Sequence, residues 1–273
     1  MRSPATALDG AAKGMPMDKI IRSNRDFMRG YSVEDFNDPA NDFNSSDQQK
    51  GVKPPPLQKG DNERHRPKVS LPEFNESILK ESNILQLMRG RRSRRRFSEM
   101  PLSLRELSYL LWATQGVSQV DENRVWALRT VPSAGCRHPY ETYLIVNRVH
   151  DLDNGVYLYL PLTHQVVPVS CELDLRSRVY QASYKEEFVA DAPVCFVWSC
   201  IPYRGEWRYN SKSHKSMLLD AGHICQNLYL ASESIGCGTC AVGGYYQSGF
   251  DDLLGLDGEN EFVVYLAAVG KTG

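Results

Sequence analysis

Arg91-Arg92-Ser93-Arg94-Arg95-Arg96-Phe97 is the stretch on which the reading of this chain turns. With Arg89 it puts six arginines within eight residues. It runs straight into Ser103-Leu104-Arg105-Glu106, which has the form of a capped helix start. So much positive charge at the edge of an apolar region calls for an anionic partner. Three readings compete. The run is a nucleic-acid or import patch, a solvated charged face, or a seat for a phosphorylated cofactor. For the last, arginine offers a planar fork of donors and Ser93 a hydroxyl.

Working outward, the whole chain narrows the choice. Lys+Arg number 32 against Asp+Glu 33, and a net charge of -1 argues against nucleic acid as the main partner. The 273 residues suit one large domain or two small ones, and 41% hydrophobic content is enough for a core. No apolar run approaches the roughly 20 residues of a membrane span. No apolar h-region follows Met1, so a cytoplasmic protein with neither membrane nor nucleic-acid partner is expected.

The seven cysteines, Cys136, Cys171, Cys195, Cys200, Cys225, Cys237 and Cys240, fall mostly in apolar segments and read as buried thiols. Cys237-Gly238-Thr239-Cys240 has C-x-x-C spacing, but no second ligand pair accompanies it, so no metal site is expected. A redox dithiol is the alternative to a structural role. Gly236-Cys237-Gly238-Thr239-Cys240-Ala241 fits G-x-G-x-x-A, yet a long helix precedes it where a dinucleotide fold needs a strand.

Residues 1 to about 70 are polar and broken by Asn37–Asp42 and Pro54-Pro55-Pro56. They read as an extended or disordered arm with a short helix around Met17–Met28. The folded domain is expected over 71–273. Ile78–Leu87 reads as a short helix. Leu104, Leu107, Leu110 and Leu111 give the next helix its buried stripe, with Gly116 as its stop. Pro132–Pro139 is a turn or short helix before a buried strand over Thr142–Val146. Gly155–Leu160 and Gln165–Val169 pair as strands, Leu173–Ala182 is helical, and Val194–Trp198 and Phe262–Val269 are buried strands. The longest helix, Ser216–Ile235, is apolar over more than one face, which suits a deep core or a second subunit, and His223 within it reads as an interior histidine. The sum is an α+β fold with a mixed or antiparallel central sheet flanked by helices.

Taken together, these parts resemble one family. Arg91-Arg92-Ser93-Arg94-Arg95 before a capped helix looks like the R-x-S-x-[RK] opening of nitroreductase-type flavoenzymes. Pro132-Ser133-Ala134-Gly135 is similar to that family's P-S-x-x segment. Gly236 through Gly243-Gly244 is similar to its third flavin loop. Asp47-Gln48-Gln49-Lys50-Gly51, Pro54–Leu57 and Asp220-Ala221-Gly222-His223 resemble the SagB-type dehydrogenase branch, which includes azoline oxidases. The resemblance implies a homodimer with FMN at its interface and NADH or NADPH as co-substrate. It assigns Arg91, Arg92, Ser93 and Arg95 to the FMN phosphate and ribityl chain, with Lys271 as a second phosphate contact. It sets Pro132, Ser133, Ala134 and Gly135 against the flavin from the other subunit. Gly243 and Gly244 lie at the ring edge, where the Gly244 backbone serves N5.

The implied reaction is hydride transfer from NAD(P)H through FMN to an electron-poor nitro or quinone compound. The alternatives are azoline oxidation in a peptide and a non-enzymatic anion- or flavin-binding protein. The branch's Lys-Tyr pair matches Arg208-Tyr209 here. Arginine stays protonated in proteins and cannot act as general base, so weak or no azoline oxidation is expected. Arg208 is left to hold an anionic substrate or to stabilise negative charge.

Overall fold

The computed structural model describes residues 17–29, 45–60, 67–170 and 174–273. The chain divides into two compact units, Met1–Ser45 and Ser46–Gly273. In the first, helix α1 covers Met17–Met28 as expected and buries none of its residues. The breaker run Asn37–Asp42 lies outside the described residues, as do Cys171 and Leu173.

The second unit is built on one seven-stranded sheet. Its strands are β1 (Val69–Ser70), β4 (Tyr140–Val146), β5 (Gly155–Leu160), β6 (Gln165–Ser170), β7 (Val194–Cys200), β8 (Cys237–Val242) and β9 (Phe262–Lys271), and their spatial order is β1-β6-β5-β4-β7-β9-β8. Every adjacent pair is antiparallel. Every residue of β4 and β7 is buried. Alternation explains this, because successive side chains serve two cores. Leu144, Val146, Phe196 and Trp198 face one cluster, while Tyr143, Ile145, Cys195 and Val197 face the other. Helices α3 (Leu104–Gln115) and α7 (Ser213–Ser234) cover the first face, and α4 (Leu175–Ala182) and α8 (Gln247–Leu254) the second. The capping box at α3 is present in both directions, Ser103 to the Glu106 N–H and Glu106 to the Ser103 N–H.

Several expectations are corrected. The helix expected over Ile78–Leu87 splits into a 3-10 turn at Glu76–Ile78 and helix α2 over Ile84–Gly90, because the Asn83 side chain caps the Leu85 and Gln86 N–H groups and starts the helix there. Gly236–Cys240 does not merely close the long helix. It leads into edge strand β8. His223 is exposed, since it shares the outer stripe of α7 with Leu218 and Leu219. Helix α6 (Tyr203–Tyr209) and the ribbon of β2 (Val117–Val120) with β3 (Ala127–Arg129) were not read from the sequence.

The largest correction concerns the arm. The folded unit begins at Ser46, not near Leu71. Its first residues are held by backbone groups rather than by apolar side chains. The Gln48 N–H donates to the Trp207 carbonyl at 2.9 Å, and Trp207 Nε1 donates to the Val52 carbonyl at 2.9 Å. Arg129 Nη2 and Arg137 Nη2 donate to the carbonyls of Leu57 (2.8 Å) and Pro55 (3.1 Å). Among the apolar residues of Ser46–Gly60 only Leu57 is deeply buried, at 3% exposure, so hydrophobic patterning had little to find.

Candidate active site

The arginine run is extended and lies along the free edge of β8. The Arg94 N–H donates to the Thr239 carbonyl at 3.0 Å, and Ser93 bridges Thr239 in the parallel sense. The run thus covers an edge that would otherwise present unpaired backbone groups. Extended geometry sends successive side chains to opposite sides. Arg94 goes inward, where its Nη2 donates to Glu233 Oε1 at 2.7 Å. Gly238 makes room for it, because a Cβ there would lie 2.6 Å from Arg94 Cδ. Arg91 and Arg95 meet aromatic rings instead. Arg91 lies over the Tyr229 ring at 5.2 Å and Arg95 over Phe188 at 5.7 Å. Neither has a carboxylate partner among the described residues. Ser93 Oγ shares a 2.9 Å hydrogen bond with Tyr229 Oη, which also accepts from the Ala241 N–H at 2.8 Å. Two residues further on come Gly243 and Gly244, both exposed, with Gly244 beside the Tyr184 ring. Tyr229 and Phe188 were missed at the sequence level, because nothing separates an aromatic beneath a cation from a core aromatic. Arg92 takes a different part. Its Nη1 donates to the carbonyls of Arg89 and Arg91 and closes the end of α2.

The second group forms around Pro132–His138. Ser133 Oγ donates to Asp220 Oδ2 at 2.6 Å, the Ala134 N–H reaches the same oxygen at 3.3 Å, and the His138 N–H donates back to Ser133 Oγ at 2.9 Å. Gly135, Cys136 and His138 have φ of 60°, 53° and 46°, a concentration of left-handed backbone in one turn. Pro132 is exposed at its start. A Cβ on Gly135 would lie 2.7 Å from Tyr209 Oη and 2.8 Å from Arg208 Cδ. The structure therefore brings Gly135 and the Arg208-Tyr209 pair together across 73 residues of sequence. The Arg208 guanidinium lies 5.4 Å from the Tyr209 ring centre.

His138 has no part in metal binding. Its Nε2 meets the Ala127 carbonyl at 2.9 Å, and burial, then the Arg129 charge, pushes its imidazole down to about 3. It is neutral in the folded protein, whereas the unfolded chain protonates it near 6.5. The folded state then binds fewer protons, so its contribution is complete above about pH 6.5 and is lost as pH falls toward 3. Thermal unfolding should show about 3 kcal/mol of this loss by pH 4. Asp220, raised by burial, has the opposite sign, so a shallower profile in His138→Gln isolates the imidazole.

The two groups sit at different levels of α7. Asp220 anchors the first turn and Tyr229 the arginine edge, which is roughly 13 Å along a helix axis at 1.5 Å per residue. Lys271 joins neither. Its Nζ pairs with Glu106 Oε1 at 3.1 Å, at the α3 cap. Cys237 and Cys240 are three apart on β8 and so point to opposite faces, both free and with thiols pushed up by burial, which removes the redox-dithiol reading. Among the described residues no group of His, Cys, Asp and Glu is arranged to hold a metal, and no helix is long and apolar enough to cross a membrane.

The family model described as the nitroreductase family matches residues 88–271, from the end of α2 through the arginine edge to Lys271. The chain belongs to the nitroreductase family. A protein of Methanocaldococcus jannaschii described as a nitroreductase, MJ1384, is 33% identical over 203 residues, 74% of this chain and 96% of that protein. The trifolitoxin-processing protein TfxB of Rhizobium leguminosarum is 28% identical over 133 residues, spanning 47% of this chain but 36% of that protein. Among solved structures, a family member from Ralstonia eutropha superposes with a TM-score of 0.62 at 24% identity, covering 80% of this chain and 94% of that one. The Escherichia coli microcin synthetase complex, solved with truncated pro-MccB17 bound, matches 93% of this chain and 92% of its own at a TM-score of 0.55 and 20% identity. The nitroreductase-like fold expected from the sequence is therefore the observed one.

Proposed function

We propose that this chain is an FMN-dependent oxidoreductase that works as a homodimer, passing a hydride from NADH or NADPH to an electron-poor nitro or quinone compound. The observation that carries the proposal is the sorting of the arginines. Arg94 is neutralised by Glu233, while Arg91 and Arg95, two residues to either side of Ser93 in the chain, lie over aromatic rings with no carboxylate partner among the described residues. A phosphate fits such a pair, since arginine donates two parallel hydrogen bonds to anionic oxygens. The adjoining Gly243 and Gly244 expose backbone that can approach a planar ring closely.

Bound FMN supplies hydride acceptance and donation; the chain supplies position, charge and protons. Arg91, Ser93 and Arg95 hold the anionic end. Ser133, Ala134 and Gly135, fixed by Asp220, form a rigid wall at the other half-site. Tyr209 offers a hydroxyl beside that wall, and Arg208 offers fixed positive charge. The separation of the half-sites along one α7 supports a site completed by a second copy. So does the apolar outer surface of Leu218 and Leu219 on α7 and of Ile84, Leu85 and Met88 on α2. Azoline oxidation in a peptide is the second reading, favoured by the likeness to TfxB, with Tyr209 as its one proton-transfer candidate in the pair.

The purified protein should be a yellow dimer releasing about one FMN per chain on denaturation. Arg91→Ala and Arg95→Ala should each weaken FMN binding by about 1.5–3 kcal/mol, while Arg94→Ala leaves it near wild type. Colourless protein that takes up no added FMN sinks the enzyme reading, and equal losses at all three positions reduce the run to a diffuse field.

A further inference from the structure

Behind Arg208 stands a set of cations, buried or partly buried, whose charges are not all matched. Arg204 is matched, by Glu141. Lys59 is matched too, its Nζ meeting Glu261 Oε2 at 2.5 Å. Arg137 is not. It is fully buried, and its three donor nitrogens go to the carbonyls of Arg204 (3.0 Å), Val125 and Pro55 (3.1 Å). Carbonyls satisfy its hydrogen bonds and leave its charge uncompensated. Burial first, then the charges of Arg204 and Arg208, lower its pKa to about 10, so it is still cationic at neutral pH. Its guanidinium stacks on Trp207 at 4.9 Å, directly before Arg208 in α6.

Arg208 is half-buried, and no acid partners it among the described residues. The carboxylates of Glu206 and Asp220 are engaged elsewhere. Glu206 meets His214 Nε2 at 2.7 Å, and Asp220 is taken by Ser133 and Ala134. An arginine whose charge is felt by a second, uncompensated arginine is repelled by it, and an anion relieves both. The guanidinium lies against the Gly135 backbone, where the missing Cβ leaves it space, and within reach of the Tyr209 hydroxyl.

We propose that the surface over Gly135 is a carboxylate-binding subsite, in which Arg208, backed by the unmatched charge of Arg137, selects substrates that carry an anionic group beside the reducible one. A carboxylate suits it better than a phosphate, because Arg208 alone has donors to spare and its flat fork matches a two-oxygen acceptor. The proposal names the substrate class for the oxidoreductase reading and rests on that reading for turnover, but binding tests it independently.

The experiment compares 4-nitrobenzoate with 4-nitrobenzamide, which have the same shape and differ in charge. Calorimetric titration of the purified protein should give the acid at least about tenfold tighter binding at low salt. That ratio should fall toward one in Arg208→Gln, sit between in Arg208→Lys, and shrink as salt is raised. The ratio of kcat/KM for the two compounds, with NADPH as donor, should move in step whatever the absolute rates. Equal affinities in the wild type, no binding of either compound, or discrimination undiminished in Arg208→Gln each overturns the proposal. Bound flavin is measured on the same samples. Its absence counts against the FMN reading alone, while lost flavin with intact discrimination in Arg208→Gln would make Arg208 a cofactor ligand instead.

Discussion

Arg204→Ala should destabilise the folded unit by about 3–5 kcal/mol, the usual cost of removing one partner from a buried ion pair. Arg204 in α6 and Glu141 in β4 are each 2% exposed, and Arg204 Nη2 donates to Glu141 Oε1. Removing the guanidinium leaves a carboxylate in the interior whose other donor is the Lys59 backbone N–H. It also withdraws the donor to the His138 carbonyl and unsettles the Arg204 backbone that accepts from Arg137 Nε. For a unit of this size the melting temperature should fall on the order of 10 °C. Arg176→Ala is the contrast. Its bidentate pair with Asp191, at 2.6 and 2.9 Å, lies in solvent, and the melting temperature should barely move. Arg204→Met combined with Glu141→Gln should recover much of the loss, since the glutamine still accepts from Lys59 and neither half of the pair is left as a bare charge. A single variant within 1 kcal/mol of wild type, measured by chemical denaturation, would show that water reaches Glu141 and that the pair is not buried in solution.

That ion pair also marks where the sequence was legible and where it was not. The strands over Tyr140–Val146 and Val194–Cys200 were readable because both faces of the sheet are covered, so their apolar runs are unbroken. Helix α3 was readable from its capping box. What failed was whatever is held by polar atoms. The segment from Ser46 to Gly60 looks like a loose arm because its anchors are carbonyls taken by Arg129, Arg137 and Trp207. Helix α6 carries Gly205 in its middle and has no regular apolar stripe, yet Arg204, Gly205 and Trp207 are buried. At the candidate site, Gly135 and Arg208-Tyr209 were each singled out through the family resemblance. That they meet was not legible, because a long-range contact leaves no periodic trace in the chain. His223 was read as interior because its helix is apolar over more than one face, but register put it on the outer stripe of α7; Lys271, a phosphate contact by the resemblance alone, meets Glu106 at the α3 cap.

Gly135→Ala should reduce turnover by about a hundredfold, the cost of an ångström-scale misplacement at a reacting centre, while the protein stays folded. Two effects act together. Gly135 has φ of +60°, where an L side chain costs roughly 1–2 kcal/mol. Its Cβ would also stand 2.7 Å from Tyr209 Oη, 2.8 Å from Arg208 Cδ and 2.9 Å from Arg208 Nε. These are the ends of flexible side chains, so the fold yields by moving them rather than by unfolding. What moves, however, is the pair assigned to the chemistry. Gly255→Ala separates the two effects, because Gly255 has φ of +69° at the end of α8 with nothing within 4 Å of its Cβ. It should lose stability to a similar degree and keep its turnover. The Arg91, Ser93 and Arg95 edge is untouched by either change. Steady-state rates with NADPH and 4-nitrobenzamide, normalised to bound flavin, decide the matter. A Gly135→Ala protein that turns over like wild type would remove Arg208 and Tyr209 from the reacting centre, whatever their distance from Gly135.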